Sequence, residues 1–255
     1  MNLTDLTEQL AQARVDGRTL DVSAWRDAVG NVEDGYAVQT QLAERAGGEV
    51  RGWKVTALSA EQQRLYDATR PVGGALLAPF VHAAPATLSL KRYITPLLEC
   101  EVSFLLGADL PPRAALYTRD EIEAAIEAVV PVMEIADCRW PDDAPGLLKL
   151  ADSMGNGAFI TGTPVKDWRK IDLTGTDVTL SHDGTVTERG SSARILGNPL
   201  LAVIALANAQ PLPAGGLKRG QIVTTGTCTT PIPMRAGRYV GDYGVLGTVQ
   251  LDMTE

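Results

Sequence analysis

The stretch PLLECEVSFLLG, residues 96–107, sets two glutamates one residue apart inside an otherwise apolar run. Leu97, Leu98, Val102, Phe104, Leu105 and Leu106 argue for a buried strand. Successive side chains on a strand alternate sides, so Glu99 and Glu101 share one face and Cys100 takes the other. Two unpaired carboxylates so placed repel each other, and removal from water sharpens the repulsion. A basic side chain, a shared proton or a metal ion would compensate. An edge strand with a solvated acidic face would need none of these.

A third carboxylate lies in a comparable setting. AVVPVMEIADCRW (128–140) places Glu134 at the end of another strand-like run, with Val132 and Ala136 on its face. Three carboxylates from two apolar strands form an oxygen-rich cluster that a hard divalent cation would stabilise while keeping waters that a substrate can displace. From the residues alone, pairing of Glu134 with Arg139 or another base is the alternative. Lys54, in RGWKVTAL, sits on a further strand-like segment. It reads either as an ordinary exposed lysine or as a positive charge for a developing enolate.

The bulk properties narrow the choices. A chain of 255 residues with 45% hydrophobic content can bury a sizeable core. A net charge of −8 argues against nucleic acid and anionic membrane as main partners. The three cysteines, Cys100, Cys138 and Cys228, form no CxxC pair, which suits a reducing compartment and leaves no zinc-thiolate motif. MNLTDLTEQL lacks the basic and apolar regions of a signal peptide, and PLLAVIALANA is too short to span a bilayer. The expectation is a cytoplasmic protein.

The first third reads as helical. LTDLTEQLAQARVDG carries Leu3, Leu6, Leu10 and Ala13 at helical spacing and stops at Gly17. VEDGYAVQTQLAERAGG is a second helix, EVRGWKVTALS a strand, and SAEQQRLYDATRP a short helix capped by Ser59. Beyond residue 80 the spacing predicts strands near 97–106, 129–136, 157–162, 176–181, 220–226 and 245–251. Two helices interrupt them, TRDEIEAAIEAVV and NPLLAVIALANA. Irregular βα spacing disfavours a doubly wound sheet. The expected organisation is a helical/α-β N-terminal region (1–80) followed by a β-rich, metal-binding catalytic domain (81–255).

Competing chemistries are thin. His82 sits in a Pro- and Ala-rich connection and reads as structural; His182, in the turn-like SHDG, reads as solvated. There is no HExxH, GxSxG, Walker A or GxGxxG pattern, and TTGTCTTP has hydroxyls and a thiol without an identifiable base.

Taken in order, the segments resemble the fumarylacetoacetate hydrolase superfamily, in its 2-keto-4-pentenoate hydratase and 4-oxalocrotonate decarboxylase branch. VEDGYAVQTQLAER, GWKVTALSAEQQ, LECEVSFLLGADL, VVPVMEIADCRW, ADSMGNGAFITG, ARILGNPLLAVIALAN and RGQIVTTG each match a segment of that branch, across nearly the whole chain. The resemblance implies an α+β fold, a mixed β-roll with a small N-terminal region, commonly in homo-oligomers. It implies Glu99, Glu101 and Glu134 as ligands of Mg²⁺ or Mn²⁺, Lys54 in the active site, and Leu76, Asp152 and Thr225 on the substrate side.

The departures matter. RPVGGALL puts Val72 where the hydratases carry an aspartate thought to act in proton transfer. Thr56, Ser153 and Ala205 replace a glycine, an asparagine and a tryptophan of the pattern. The resemblance implies a metal-dependent lyase of 2-oxo acids in aromatic ring-cleavage catabolism, hydratase-like first. The loss of an acid at Val72 moves weight toward the decarboxylase. Acylpyruvate hydrolysis ranks third, and the rival of another class is a non-catalytic 2-oxo-acid binder or partner subunit of a related lyase.

Overall fold

The structure, a computed structural model, describes residues 2–213 and 215–255. In chain order the elements are α1 (Leu3–Asp16), α2 (Val22–Trp25), α3 (Val32–Arg45), β1 (Val50–Thr56), α4 (Ala60–Leu65) and β2 (Val72–Leu77). β3 (Val81–Ala83), β4 (Ala86–Ser89), β5 (Leu97–Leu106), α5 (Arg119–Ala125), β6 (Ile126–Ala136), α6 (Gly146–Ala151) and β7 (Asn156–Thr161) follow. The remainder is β8 (Asp177–His182), β9 (Thr185–Ser191), α7 (Leu200–Ala207), β10 (Ile222–Thr227), β11 (Ile232–Pro233), β12 (Gly237–Asp242) and β13 (Thr248–Thr254). The mixed α+β class with curled sheets agrees with the sequence reading.

The N-terminal helices form as their caps dictate. α1 opens on an Asn2–Asp5 capping box and closes on Gly17, whose left-handed φ of 60° turns the chain out of the helix. α4 opens on a Ser59–Gln62 capping box. α3 docks through two buried polar groups rather than through apolar contact alone. Gln39 donates to the carbonyls of Gly73 (3.1 Å) and Leu150 (2.7 Å) and accepts from Ala75 N (2.9 Å), while Tyr36 Oη accepts from Gly73 N (3.0 Å). These bonds tie α3 to β2 and α6.

The larger sheet runs β2-β1-β10-β5-β6-β7-β3, with β11 pairing on β5, and the smaller runs β4-β13-β12-β8-β9. β1 and β2 are part of the larger sheet, so that sheet crosses the 80/81 boundary drawn from the sequence. One face of β5 and β6 packs on the smaller sheet: a Cβ added to Gly241 of β12 would lie 3.1 Å from Met133 and 3.3 Å from Cys100. Only a residue without a side chain allows that approach. The other face carries Glu99, Glu101 and Glu134, by the alternation that Cys100 and Met133 fix. No helix among the described residues is long and apolar enough to cross a membrane.

Two local expectations fail. TRDEIEAAIEAVV is helical only to Ala125; Ile126–Val130 is the start of β6, where Ile126, Val129 and Val130 are buried. Branched side chains prefer that pleated, two-sided burial to a helix. His182 is not solvated but 7% exposed, its Nε2 3.0 Å from the carbonyl of Ala236 and its Nδ1 accepting from Arg235.

Candidate metal centre

β5 and β6 pair antiparallel with Glu99 directly opposite Glu134 and Glu101 opposite Val132. Register and alternation thus bring all three carboxylates to one face, each offering an oxygen within 4.8 Å of the others. Glu101 and Glu134 are fully buried, and Glu99 is partly buried. Each is separately anchored. Glu101 Oε2 accepts from Thr224 Oγ1 and from Gly226 N (3.1 Å), and Glu134 Oε1 accepts from Lys54 Nζ (2.8 Å) and Asn156 Nδ2 (3.1 Å).

Lys54 therefore answers the alternative that Arg139 would pair with Glu134. Lys54 lies on β1 opposite Gly74 of β2 and Thr224 of β10, and its ammonium reaches across to the glutamates. Burial would lower its pKa, but the charges of Glu134, Glu99 and Glu101 outweigh burial and hold it above its ordinary value. Arg139 instead binds Asp152, Nη2 to Oδ1 at 2.6 Å.

One ammonium cannot compensate three carboxylates. Desolvation, with Glu134 and Glu99 alongside, pushes the Glu101 carboxyl well above the usual range; desolvation also raises Glu99, against the pull of Lys54. Glu134 Oε2 is buried and has no hydrogen-bond partner among the described residues. An orphaned buried carboxylate oxygen needs a counter-charge aimed at it. An all-oxygen donor set with that orphan fits a hard divalent cation.

The other expected site residues fall differently. Leu76 is on the face of β2 that also carries Gly74, and packs with Val130, Val132 and Phe159 into a small apolar cluster beside the glutamates. Asp152 is buried and engaged by Arg139, whose backbone N and Nε donate to it at 2.9 and 2.8 Å. Thr225 donates its hydroxyl to the carbonyl of Val102, away from the carboxylates. Its neighbour Thr224 pairs with Ser103, two residues from Glu101 on the same face of β5, and so meets Glu101.

Sequence reasoning missed Asn156, Thr224 and Tyr66. Asn156 opens β7 and holds Glu134; nothing in the sequence marks it until the β6–β7 register is known. Tyr66, half-buried at the C-terminal cap of α4, lies where the charge of Lys54 reaches it; burial raises its phenol and Lys54 opposes the rise. Val72 is fully buried, two residues from Gly74 on the same face of β2. The turn at Ser153, Met154 and Gly155 holds three successive positive φ values (50°, 58° and 70°), and a Cβ at Gly74 would meet the Ser153 carbonyl at 2.5 Å. Left-handed backbone at two non-glycine residues costs on the order of 1 kcal/mol each, held here by packing against β2.

No family model matches the chain. The 2-keto-4-pentenoate hydratase of Burkholderia vietnamiensis (strain G4 / LMG 22486) is 30% identical over 261 residues, 100% of this chain and 98% of the relative. A 4-oxalocrotonate decarboxylase from Pseudomonas sp is 29% identical, over 93% of this chain and 92% of the relative. Among solved structures, the 4-oxalocrotonate decarboxylase from Pseudomonas putida G7, complexed with magnesium and adipate, superposes with a TM-score of 0.84. It is 24% identical, with 99% of this chain and 97% of that one covered. Full-length similarity at this level places the chain in the 2-keto-4-pentenoate hydratase family, and its fold is that of the 4-oxalocrotonate decarboxylase.

Proposed function

We propose that the protein is a divalent-metal-dependent lyase acting on a small 2-oxo or 2-hydroxydienoic acid, hydratase-like, in the breakdown of aromatic ring-cleavage products. The observation that carries this reading is the convergence of Glu99, Glu101 and Glu134 with Lys54 around a carboxylate oxygen that has no partner. In this reading the three glutamates hold Mg²⁺ or Mn²⁺, which when bound supplies Lewis acidity toward a 2-oxo acid.

The remaining work falls to the chain itself. Lys54, its pKa held up by the neighbouring glutamates against burial, places a positive charge where enolate charge develops. Glu134 and Asn156 hold that ammonium and carboxylate in register. Leu76, Val132 and Phe159 give an apolar wall against which the hydrocarbon part of the substrate can lie away from water. A hydratase of this kind converts 2-hydroxypenta-2,4-dienoate and water to 4-hydroxy-2-oxopentanoate.

The second reading, decarboxylation of a 4-oxalocrotonate-type substrate, is favoured by Val72. Its buried, apolar position supplies no acid for proton transfer. Supplying the purified protein with Mg²⁺ and a panel of 2-hydroxydienoates and oxalocrotonate, while following ultraviolet absorbance and carbon dioxide together, separates the two. Loss of absorbance without gas supports hydration, and gas release supports decarboxylation. Tight binding of the acids without turnover would leave only the non-catalytic binder. Homo-oligomer formation and association with a related lyase belong to the same reading and are open to light scattering.

A further inference from the structure

A second polar cavity lies between α1, β3 and the turn that precedes β5. It is lined by Arg14, His82, Arg92, Tyr93, Asp137 and Arg139, among others, and encloses about 20 Å³ of space open to the centre of a water-sized sphere. That is room for one water or one monatomic ion, for which about 10–15 Å³ suffices on this measure.

The two carboxylates near the cavity are both engaged by other donors. Asp152 is taken by Arg139, and Asp137 accepts from the backbone N–H of Ile94 (3.0 Å) and Thr95 (2.9 Å). Arg14 hydrogen-bonds to neither carboxylate: its Nη2 is 3.9 Å from Asp152 Oδ1, an ion-pair distance beyond a hydrogen bond. Its side chain is only 9% exposed and its guanidinium lies over the Phe80 ring at 4.5 Å, with both Nη atoms buried and unpartnered among the described residues. Burial and the neighbouring Arg139 together pull Arg14 down to about 9, against the opposing charges of Asp152 and Asp137, which compensate it only in part. His82 is likewise lowered, by burial and by Arg92, so at neutral pH it is an uncharged N–H donor.

We propose that this cavity is a binding site for one halide-sized anion, held by the Arg14 guanidinium with Arg92 and His82 beside it. A water would satisfy N–H donors but not the charge; an anion does both. Bound there, it joins α1 to the β3 and β5 connections and so couples the first helix to the sheet.

Bromide replaces chloride at such sites and scatters anomalously. Crystals of the full chain grown in sodium bromide should show an anomalous peak within about 3.5 Å of the Arg14 Nη atoms. In solution, exchanging sodium gluconate for sodium chloride at equal ionic strength should raise the melting temperature by about 3 °C in wild type and by less than 1 °C in Arg14→Met. Arg92→Gln, at an exposed position, should show an intermediate rise and covers the case in which the Arg14 variant does not fold. An ordered water without anomalous signal, or Arg14 turned to pair directly with Asp152, would overturn the proposal. So would a chloride effect of equal size in all three proteins.

Discussion

Replacing Glu101 by glutamine should move stability and metal affinity in opposite directions. The glutamine carbonyl can still accept from Thr224 and Gly226, so the anchoring bonds survive. What disappears is a negative charge with an oxygen within 4.8 Å of two others. Each such repulsion is worth about 3.5 kcal/mol at an effective dielectric of about 20, and attraction to Lys54 offsets roughly one of the two. Partial protonation of wild type reduces what remains, so Glu101→Gln should stabilise the metal-free protein by about 1–3 kcal/mol at pH 7, a rise of a few degrees in melting temperature. The sign with pH follows from linkage. Folding raises the Glu101 carboxyl above its unfolded value. Wild type therefore suffers no penalty below about pH 4.3 and loses stability as pH climbs through the raised folded value. The advantage of the variant should grow over that window and then level off. With Mg²⁺ added the order should invert, because an anionic ligand is gone; its loss should weaken affinity by more than about 100-fold, beyond what outer-shell changes cost. Thermal melts in chelator and in Mg²⁺, with calorimetric titration of the metal, read both effects. A metal-free variant less stable than wild type at pH 7 would refute the repulsion argument, and equal metal affinity in the two proteins would refute the ligand assignment.

Lys54→Met should lower turnover by about 10²–10³-fold while leaving metal affinity within a few-fold, since Lys54 opposes no ligand oxygen that the cation needs; near-normal kinetics would return Lys54 to a structural ion pair. Tyr66→Phe should lower kcat by about 100-fold or more with little change in KM if the phenol delivers a proton to carbon; an unchanged rate of deuterium incorporation from D₂O would exclude that role. Val72→Asp should raise hydration of 2-hydroxypenta-2,4-dienoate if the pocket is otherwise a hydratase pocket, and slow carbon dioxide release if it is a decarboxylase pocket. Should it change neither reaction in an enzyme that folds normally, Val72 does not occupy the acid's place.

The Glu99–Glu101 pair was legible because it depends on strand alternation alone: the two share a face whatever pairs with β5, whereas Glu134 joins them through the β5–β6 register. The pair's other partners were not, because they too depend on register. Lys54 meets Glu134 only because β10 lies between β1 and β5 and β6 follows β5 in the sheet. Arg139, five positions from Glu134 and the nearer candidate in sequence, lies beyond the end of β6 and turns to Asp152. Thr225 came from the resemblance alone, and the β10–β5 register gives the contact with Glu101 to its neighbour Thr224 instead. The helix expected through Val130 failed for a related reason. Its first turn is capped by Thr118 and is helical, but its apolar second half is drawn into β6 by partners on both sides.

The apolar departure at Val72 bears on which reaction this chain favours. Val72, Gly74 and Leu76 make one face of β2 apolar along its length, so no carboxylic acid stands where the resemblance expects one. Of the acids near that segment, Asp67 is exposed on a left-handed turn and Asp152 is engaged by Arg139. Tyr66 remains. A phenol whose pKa is raised by burial stays protonated at neutral pH, which makes it a proton donor and a poor base. Decarboxylation needs one proton delivered to the carbon of a dienolate, and a donor meets that need. Hydration needs the same delivery and, in addition, a group that takes a proton from water. That second group would have to be a carboxylate with an oxygen to spare, and Glu99, the least buried of the three, is the one so placed. A chain that hydrates should therefore lose more activity from a change at Glu99 than its metal affinity alone explains, and a chain that only decarboxylates should not.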